Sequence, residues 1–214
     1  TQSFGLVNER LEQVYKGLGE MQTIASNVGD LKKILSNVKT RGILGEVQLG
    51  GILEQILSPE QYEENVATRP GSSERVEFAV KLPGSGAGET VYLPIDAKFP
   101  GDTYSALQEA YDTGDKAEIE LARKRLLTRI ASEGKDICDK YIAVPYTTDF
   151  AVMFLPFEGL YAEVVRNGMI EMLQRKYRVT IAGPTTMAAL LNSLQMGFNT
   201  LAIEKRSNEV WKLL

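Results

Sequence analysis

Two carboxylates and one ammonium group lie on neighbouring predicted strands, and these residue types suit metal-assisted chemistry. The sequence predicts strands at Val76–Lys81 and Val91–Lys98, the first of which carries Glu77. On the second strand, Asp96 and Lys98 are two residues apart and therefore project from the same face of the sheet. We therefore expect Asp96 and Lys98 to act together.

The pairing of these strands decides whether Glu77 joins Asp96. The glycine-rich stretch 83–90 connects them as a hairpin. We assume that Leu82 pairs with Val91, the residues flanking the loop, because a loop of this length does not determine the register. Antiparallel pairing in this register places Glu77 opposite Asp96. Carboxylates that hold a divalent cation, beside an ammonium group near the attacking water or scissile phosphate, are what phosphodiester hydrolysis requires. An Asp-x-Lys pair is also common at solvated strand edges, so a structural ion pair is the alternative.

The composition indicates one globular domain with an appendage. Of the 214 residues, 43% are hydrophobic, which is enough to form a core. The 28 acidic and 24 basic residues give a formal net charge of −4, which excludes coating of nucleic acid through bulk positive charge. Any contact with DNA must come from a local basic groove or from a metal ion. The run Arg123-Lys124-Arg125, with Arg129, could face phosphates, and a solvated helix face is the alternative.

Residues that the chain lacks exclude several classes of enzyme. It contains no histidine, which rules out His-dependent acid–base catalysis, Ser-His-Asp or Cys-His hydrolysis, and His-ligated zinc. Its single cysteine, Cys138, cannot form an internal disulfide, so we expect a reduced, cytoplasmic compartment. No apolar run approaches the roughly 18 residues of a transmembrane helix, so we expect no membrane segment in this chain.

The N-terminal segment predicts a long amphipathic helix. Apolar residues from Leu11 to Val28 recur at alternating steps of three and four, and the pattern continues to Val38 after a register break. This heptad seam predicts a coiled coil that joins chains into a homo-oligomer, and packing against its own domain is the alternative. The predicted organisation is a helical segment at 1–40, a core at 41–195 and a C-terminal helix at 196–214.

The order of the remaining elements predicts an α/β fold with a mixed β-sheet flanked by helices. After a break at Thr40-Arg41-Gly42, the predicted elements are a helix at Leu44–Leu57, a strand at Tyr62–Val66, the hairpin, helices at Thr103–Tyr111, Lys116–Tyr141 and Leu160–Lys176, buried strands at Phe150–Leu155 and Val179–Ala182, and helices ending at Leu194 and starting at Met196. Thr185 or Thr186 would cap the helix after the last strand, whose free N–H groups could also bind phosphate. Glu158, just past the end of a buried strand, is a weak candidate for the rim of an active-site cleft.

Five short blocks occur in an order typical of one protein family. They are Arg41-Gly42-Ile43-Leu44-Gly45-Glu46, Val80-Lys81-Leu82-Pro83, Ile95-Asp96-Ala97-Lys98, Asp149-Phe150-Ala151-Val152-Met153-Phe154-Leu155-Pro156-Phe157-Glu158 and Gly183-Pro184-Thr185-Thr186. Each block is weak alone, but together they resemble the RmuC family of DNA recombination proteins. The sequence departs from the family pattern at Ile43-Leu44, where a Trp is usual, and at Val76-Glu77, where Pro-Asp is usual.

The resemblance implies a restriction-endonuclease-like nuclease core that acts on DNA with Mg²⁺ or Mn²⁺. Glu77 and Asp96 would hold the metal ion, and Lys98 would position the attacking water or stabilise charge on the phosphate. The resemblance also implies a catalytic role for Glu46, since an acid on the first helix often joins the metal cluster in such folds. A partner of the helix dipole in the first turn is the alternative for Glu46.

The resemblance also bears on what lies outside this chain and on an alternative function. Members of the family often carry an N-terminal membrane helix, and because the chain begins with Thr1 we expect it to be a piece of a longer protein. The competing interpretation of function is a non-catalytic coiled-coil scaffold whose globular domain binds DNA or protein, with a degenerate nuclease site.

Overall fold

The structure is a computed structural model that describes the backbone of residues 38–84 and 89–211, with side chains described for 42–84 and 89–202. Apart from the backbone of Val38, the predicted heptad seam from Leu11 to Val38 lies outside the described residues. Self-association through that seam therefore stays a prediction, as do the domain boundaries.

Helices and strands alternate along the described chain. In order they are α1 (Val38–Ile56), β1 (Tyr62–Val66), β2 (Val76–Pro83), β3 (Thr90–Ala97), α2 (Gly101–Thr113), α3 (Lys116–Tyr141), β4 (Ala151–Phe154), α4 (Glu158–Arg166), α5 (Met169–Tyr177), β5 (Val179–Ala182) and α6 (Pro184–Trp211). Within these described ranges, no helix has the length and apolar character needed to cross a membrane.

A five-stranded mixed sheet forms the centre of the fold, with the strand order β1-β2-β3-β4-β5. The first three strands are antiparallel neighbours, whereas β3, β4 and β5 run parallel to one another. Strands β4 and β5 are almost wholly buried, as expected of parallel strands covered on both faces. The predicted α/β architecture, with a mixed sheet flanked by helices, is confirmed.

The hairpin of β2 and β3 has the register assumed from the sequence. Leu82 pairs with Val91 next to the loop, and the same register continues to the pair of Phe78 with Ile95. Glu77 precedes Phe78 on β2, and Asp96 follows Ile95 on β3, so Glu77 lies beside Asp96. The long loop does not determine this register. The register is set by the apolar side chains of β2 and β3, which must point into the apolar cores on the two faces of the sheet.

Two apolar cores lie on opposite faces of the sheet. Helices α1 and α6 cover one face, where Leu53 and Leu191 pack with Phe78 of β2. Helices α2 to α5 cover the other face, where Ile130 of α3 packs with Met153 of β4. The central strands are therefore held from both sides, and charged groups at their ends lie in a largely desolvated setting.

The long helix α3 has the bounds predicted from the sequence, because local signals mark its start. Asp115 caps it, and its Oδ1 atom accepts hydrogen bonds from the backbone N–H groups of Ala117 at 2.8 Å and Glu118 at 3.4 Å. Gly114 ends the preceding helix in the left-handed conformation, with φ of 71°.

The first predicted helix boundary is wrong. The described part of helix α1, Val38–Ile56, runs through the predicted break at Thr40-Arg41-Gly42. A glycine inside a helix costs only about 1 kcal/mol relative to alanine, and the burial of the apolar face of α1 offsets it. Glu46 consequently lies well inside the helix, so the alternative role as a dipole partner in the first turn is excluded.

Two later helix predictions are also corrected. The predicted helix Leu160–Lys176 is two helices, α4 and α5, which are separated at Asn167 and Gly168. Gly168 has φ of 74°, a conformation that a helix cannot contain. Conversely, no separate helix starts at Met196, because α6 runs through this position without a break.

Gly134 allows α3 to pack closely on α5, and its substitution tests this packing. A methyl group at Gly134 would lie 2.5 Å from Cδ2 of Leu173, a fully buried side chain. We expect Gly134→Ala to lower the free energy of unfolding by about 1 kcal/mol. Overpacking costs about 1–3 kcal/mol, which exceeds the gain of about 1 kcal/mol in helix propensity. Urea unfolding followed by circular dichroism measures the difference.

Gly51→Ala in α1 is the matched control. No atom lies within 4 Å of a methyl group added there, so helix propensity alone should raise stability by up to about 1 kcal/mol. If Gly134→Ala proves as stable as the parent chain, the close packing of α3 on α5 is wrong.

Candidate active site at the end of strand β3

Three of the predicted site residues come together where β2 and β3 meet the end of α3. Glu77 lies on β2, Asp96 lies near the end of β3, and Lys98 follows this strand directly. The charges of Asp96 and Lys98 both act on Glu77. The predicted convergence of the three side chains therefore agrees with the structure, while their chemical roles stay predictions.

Asp96 and Lys98 form an ion pair through Asp96 Oδ2 and Lys98 Nζ. Asp96 is 1% exposed, whereas the Lys98 side chain is 25% exposed and reaches solvent. Burial raises the pKa of Asp96, although Lys98 opposes this rise. Burial alone would lower the pKa of Lys98, but the adjacent Asp96 carboxylate raises it above its usual value. Lys98 is therefore a cation at neutral pH.

Glu77 is a partly buried carboxyl group beside another carboxylate. Burial, and then the charge of Asp96, raises the pKa of Glu77 to about 7. The backbone N–H of Ala97 donates a hydrogen bond to Glu77 Oε2 at 2.8 Å, and this bond together with Lys98 limits the rise. The hydrogen bond also holds the Glu77 carboxylate against the end of β3.

Glu46 contributes to this cluster through its charge. It is exposed on α1, and its negative charge raises the pKa of Glu77 further. The adjacent Gly45 lets α1 approach, because a methyl group there would lie 3.4 Å from Cβ of Ala97 and 3.7 Å from Cγ of Pro156. Glu46 thus lies near the cluster, at longer range than the acids on the strands.

Helix α3 supplies two further residues that the sequence analysis did not single out. Tyr141 is 8% exposed, and its hydroxyl opposes the rise in the pKa of Asp96 that burial causes. Glu133 is buried and forms an ion pair with Arg129, with 2.7 Å between Glu133 Oε1 and Arg129 Nη2. The charge of Glu133 also acts on Lys98. A glutamate on the buried stripe of α3 is the sequence signal that could have identified this contribution.

The arrangement offers oxygen ligands of the kind that Mg²⁺ and Mn²⁺ prefer. A divalent cation would relieve the repulsion by which Asp96 raises the pKa of Glu77. Asp96 Oδ2 contacts the Lys98 ammonium but has no well-aligned hydrogen-bond donor in the described part of the chain. Among the residues described, no group of three or more Asp, Glu, Cys or His side chains has the geometry of a metal site. Mg²⁺ often takes one or two carboxylates and completes its shell with water and phosphate oxygens, so Glu77 and Asp96 fit such an ion.

At the start of α6, where the sequence predicted a possible phosphate site, side-chain oxygens of the chain itself accept hydrogen bonds from backbone N–H groups. The backbone N–H of Thr185 donates to Glu158 Oε1 at 2.6 Å. The backbone N–H of Gly183 donates to Thr186 Oγ1 at 2.7 Å. These contacts resemble a capping box and favour capping over phosphate binding. Glu158 therefore has a structural contact at this helix end.

The predicted basic face of α3 is partly engaged in ion pairs. Arg123 Nε lies 3.1 Å from Glu163 Oε1, and Arg129 binds Glu133. These contacts favour a structural role for both arginines.

A surface groove of about 620 Å³ lies apart from the acid cluster, between α3 and α5. Its apolar lining includes Leu127, Met169 and Met172. Arg123 and Lys124 of the predicted basic run also line this groove, but none of the predicted catalytic residues does. Charge and geometry, rather than a cavity, therefore identify the candidate site.

Comparison with known proteins places the chain in a family. A protein of Xylella fastidiosa (strain Temecula1 / ATCC 700964), named DNA recombination protein RmuC homolog, is 58% identical over 214 residues, which cover 99% of this chain and 47% of the relative. A protein of the same name from Chlamydia trachomatis serovar D is 27% identical over 213 residues, which cover 98% of this chain and 46% of the relative. The chain thus spans about half the length of the curated relatives it matches. No solved structure shows significant similarity to it. The model of the RmuC family matches residues 1–214, and the chain therefore belongs to the RmuC family.

Proposed function

We propose that this chain contains a divalent-metal-dependent nuclease domain that cleaves DNA during recombination or repair. The observation that carries the proposal is the convergence of Glu77, Asp96 and Lys98 at the end of β3. The name shared by these relatives, DNA recombination protein RmuC homolog, supports a role in recombination. The central mixed sheet between two helical layers supports a restriction-endonuclease-like core.

In this proposal, Glu77 and Asp96 hold Mg²⁺ or Mn²⁺, with the Ala97 carbonyl as a further oxygen donor. Glu46 completes the set directly or through water. When bound, the ion supplies Lewis-acid stabilisation of the charge that develops on the scissile phosphate. Since the pKa of Glu77 is about 7 in the metal-free chain, protons compete for this carboxylate near neutral pH.

Lys98 acts in this proposal as a fixed cation. Although Lys98 is largely buried, the Asp96 carboxylate raises the pKa of Lys98. Lys98 therefore keeps its proton at neutral pH and is unsuited to act as a general base. It can instead donate hydrogen bonds to the phosphate and orient the attacking water. Its own backbone N–H donates to the carbonyl of Phe154 at 2.8 Å, which fixes the root of the side chain against β4.

The DNA contact in this proposal is local, because the net charge of −4 repels a polyanion overall. Lys98 and Lys140 bring positive charge to the acid cluster. A bound divalent ion would supply the remaining positive charge next to the phosphate.

A non-catalytic scaffold is the second candidate function, and two contacts favour it. Asp96 is compensated by Lys98, and the Ala97 N–H engages Glu77. The Ala97 hydrogen bond joins the ends of β2 and β3, and the ion pair compensates the buried Asp96, without any ligand. The globular domain would then bind DNA or protein, with oligomerisation through the N-terminal helix.

We expect Asp96→Asn and Lys98→Met to reduce Mn²⁺-dependent DNA cleavage by about 100-fold or more, because each removes a charge needed to stabilise the transition state. Asparagine keeps the shape of aspartate, and methionine keeps most of the aliphatic stem of lysine. Cleavage of single-stranded, double-stranded and branched DNA by purified variants measures the effect. Lys98→Met should also destabilise the chain by about 3 kcal/mol, because it leaves Asp96 buried without its cation.

Matched controls use charged residues of similar type outside the cluster. Asp149→Asn removes an ion pair with Arg178 that is exposed, and Lys81→Met removes one with Glu63 on the neighbouring strand. Both controls should cleave like the parent chain. If the two site variants also cleave like the parent while remaining folded, the activity lies elsewhere and the scaffold function replaces the nuclease.

A second prediction concerns pH and the metal-free chain. The folded state binds the Glu77 proton more tightly than the unfolded chain, because the pKa rises from 4.5 to about 7. This contribution to stability is fully present below pH 4.5 and is lost as the pH rises through about 7. Glu77→Gln should therefore be more stable than the parent at pH 8, by up to about 3 kcal/mol. Urea unfolding at pH 5 and pH 8 in the presence of a chelator measures this.

Glu64→Gln, at an exposed position on β1, is the control and should leave the pH dependence unchanged. Parallel pH profiles for the parent and Glu77→Gln would show that Glu77 ionises normally and would remove the electrostatic argument for a cation beside it.

A further inference from the structure

The groove between α3 and α5 has an apolar floor, and the proposed nuclease chemistry does not use it. Its volume is about 620 Å³. Met169 is buried, and Met172 and Leu127 are half-buried, so these three side chains form the floor. At the edge of the groove, Leu121 is 52% exposed. The folded chain therefore leaves apolar surface uncovered along this groove, which is typical of a surface that binds a partner.

The α3 side of the groove is basic in a chain that is acidic overall. The stretch 120–131 carries four basic residues against one acidic residue, a net charge of +3, whereas the whole chain carries −4. Arg123 and Arg129 are engaged with buried glutamates of the chain itself. Lys124, which lines the groove, and Arg125 beside it are exposed and form no ion pair within the described ranges. Positive charge is therefore available to a ligand at this rim.

We propose that this groove binds an amphipathic helix of a partner protein that carries acidic residues beside its apolar face. A helix satisfies its own backbone hydrogen bonds, so it requires only apolar and charged contacts from the surface that receives it. From Glu120 to Ala131 the groove follows α3 for about 17 Å, or about three turns of a docked helix. The methionine side chains of the floor are flexible and adapt to apolar ligands. Lys124 pairs with a carboxylate of the partner at the rim.

The lining of the groove favours a protein over a nucleic acid. Phosphates bind to cations and N–H donors, and the apolar floor offers neither. None of the lining residues, all in the described part of the chain, is aromatic, so unpaired bases find no stacking surface there. An acidic amphipathic helix, by contrast, uses both the floor and the basic rim.

Two labelled peptides of about 18 residues test the proposal, a length at which an amphipathic helix can form. The acidic peptide has leucines along one helix face and glutamates beside them, and lysines replace the glutamates in the basic peptide. Fluorescence anisotropy measures their binding to the whole chain without a metal ion, so the result does not depend on the proposed nuclease activity. Circular dichroism checks that each variant of the chain is folded.

Lys124→Glu reverses the charge at the rim, and Leu121→Gln removes apolar surface at the edge. The matched controls lie outside the groove. Lys81→Glu, on β2, changes the net charge equally, and Leu201→Gln, on α6, replaces a leucine that is 47% exposed.

We expect the acidic peptide to bind the parent chain about 10-fold more tightly than the basic peptide. Lys124→Glu and Leu121→Gln should each weaken binding of the acidic peptide by about 5-fold. Lys124→Glu should also strengthen binding of the basic peptide, an exchange of preference that a loss of structure cannot produce. Both controls should bind the two peptides like the parent chain.

The proposal is overturned if the acidic peptide does not bind, if both peptides bind equally, or if neither groove variant changes the affinity. The same variants test two other occupants. If Lys124→Glu weakens binding of single-stranded or duplex DNA while the acidic peptide does not bind the parent, the groove serves a nucleic acid. If light scattering shows a dimer that Leu121→Gln converts to a monomer, a second copy of the chain occupies the groove. Either result replaces the proposed partner.

Discussion

A buried ion pair between Asp96 and Lys98 is the constraint on which the centre of this structure depends. An aspartate that is 1% exposed must be compensated locally, since a buried unpaired charge costs several kcal/mol. Lys98, the charge of Lys140 and the Tyr141 hydroxyl provide this compensation. Two of these groups come from α3, so the path of this helix over the sheet is coupled to the charge on β3. A buried ion pair is seldom more stabilising than well-packed apolar residues, so stability alone does not explain its presence here.

The β2–β3 hairpin adds a second charge that local electrostatics disfavours. Its register brings Glu77 beside Asp96, and the resulting rise in the pKa of Glu77 to about 7 measures how unfavourable the second negative charge is. The apolar cores on the two faces of the sheet hold the strands together against this repulsion. Binding of a proton or a cation relieves it. The folded chain is therefore arranged to favour positive charge at this point.

Local patterns predicted those parts of the fold that depend on local contacts. The bounds of α3 follow from the cap at Asp115, and the position of Asp96 and Lys98 on one face follows from strand geometry. Glycine was the main source of error, because its effect depends on tertiary packing. Gly42 stays inside a helix, whereas Gly168 breaks one. The approach of Tyr141 to Asp96 depends on how α3 crosses the sheet, and no sequence spacing encodes that angle.

In the proposed nuclease, the electrostatics of the cluster would link DNA binding to catalysis. A DNA phosphate that approaches Glu77, Asp96 and the exposed Glu46 meets carboxylates before it meets any excess of positive charge, and the chain as a whole carries a net charge of −4. Lys98 is already paired with Asp96, so its ammonium cannot neutralise a phosphate as well. With a divalent ion held by the carboxylates, the local potential would change sign and Lys98 would be free to contact the phosphate. In a nuclease, DNA affinity at this point and cleavage should therefore require the same ion, whereas a scaffold that binds DNA through another surface has no such requirement.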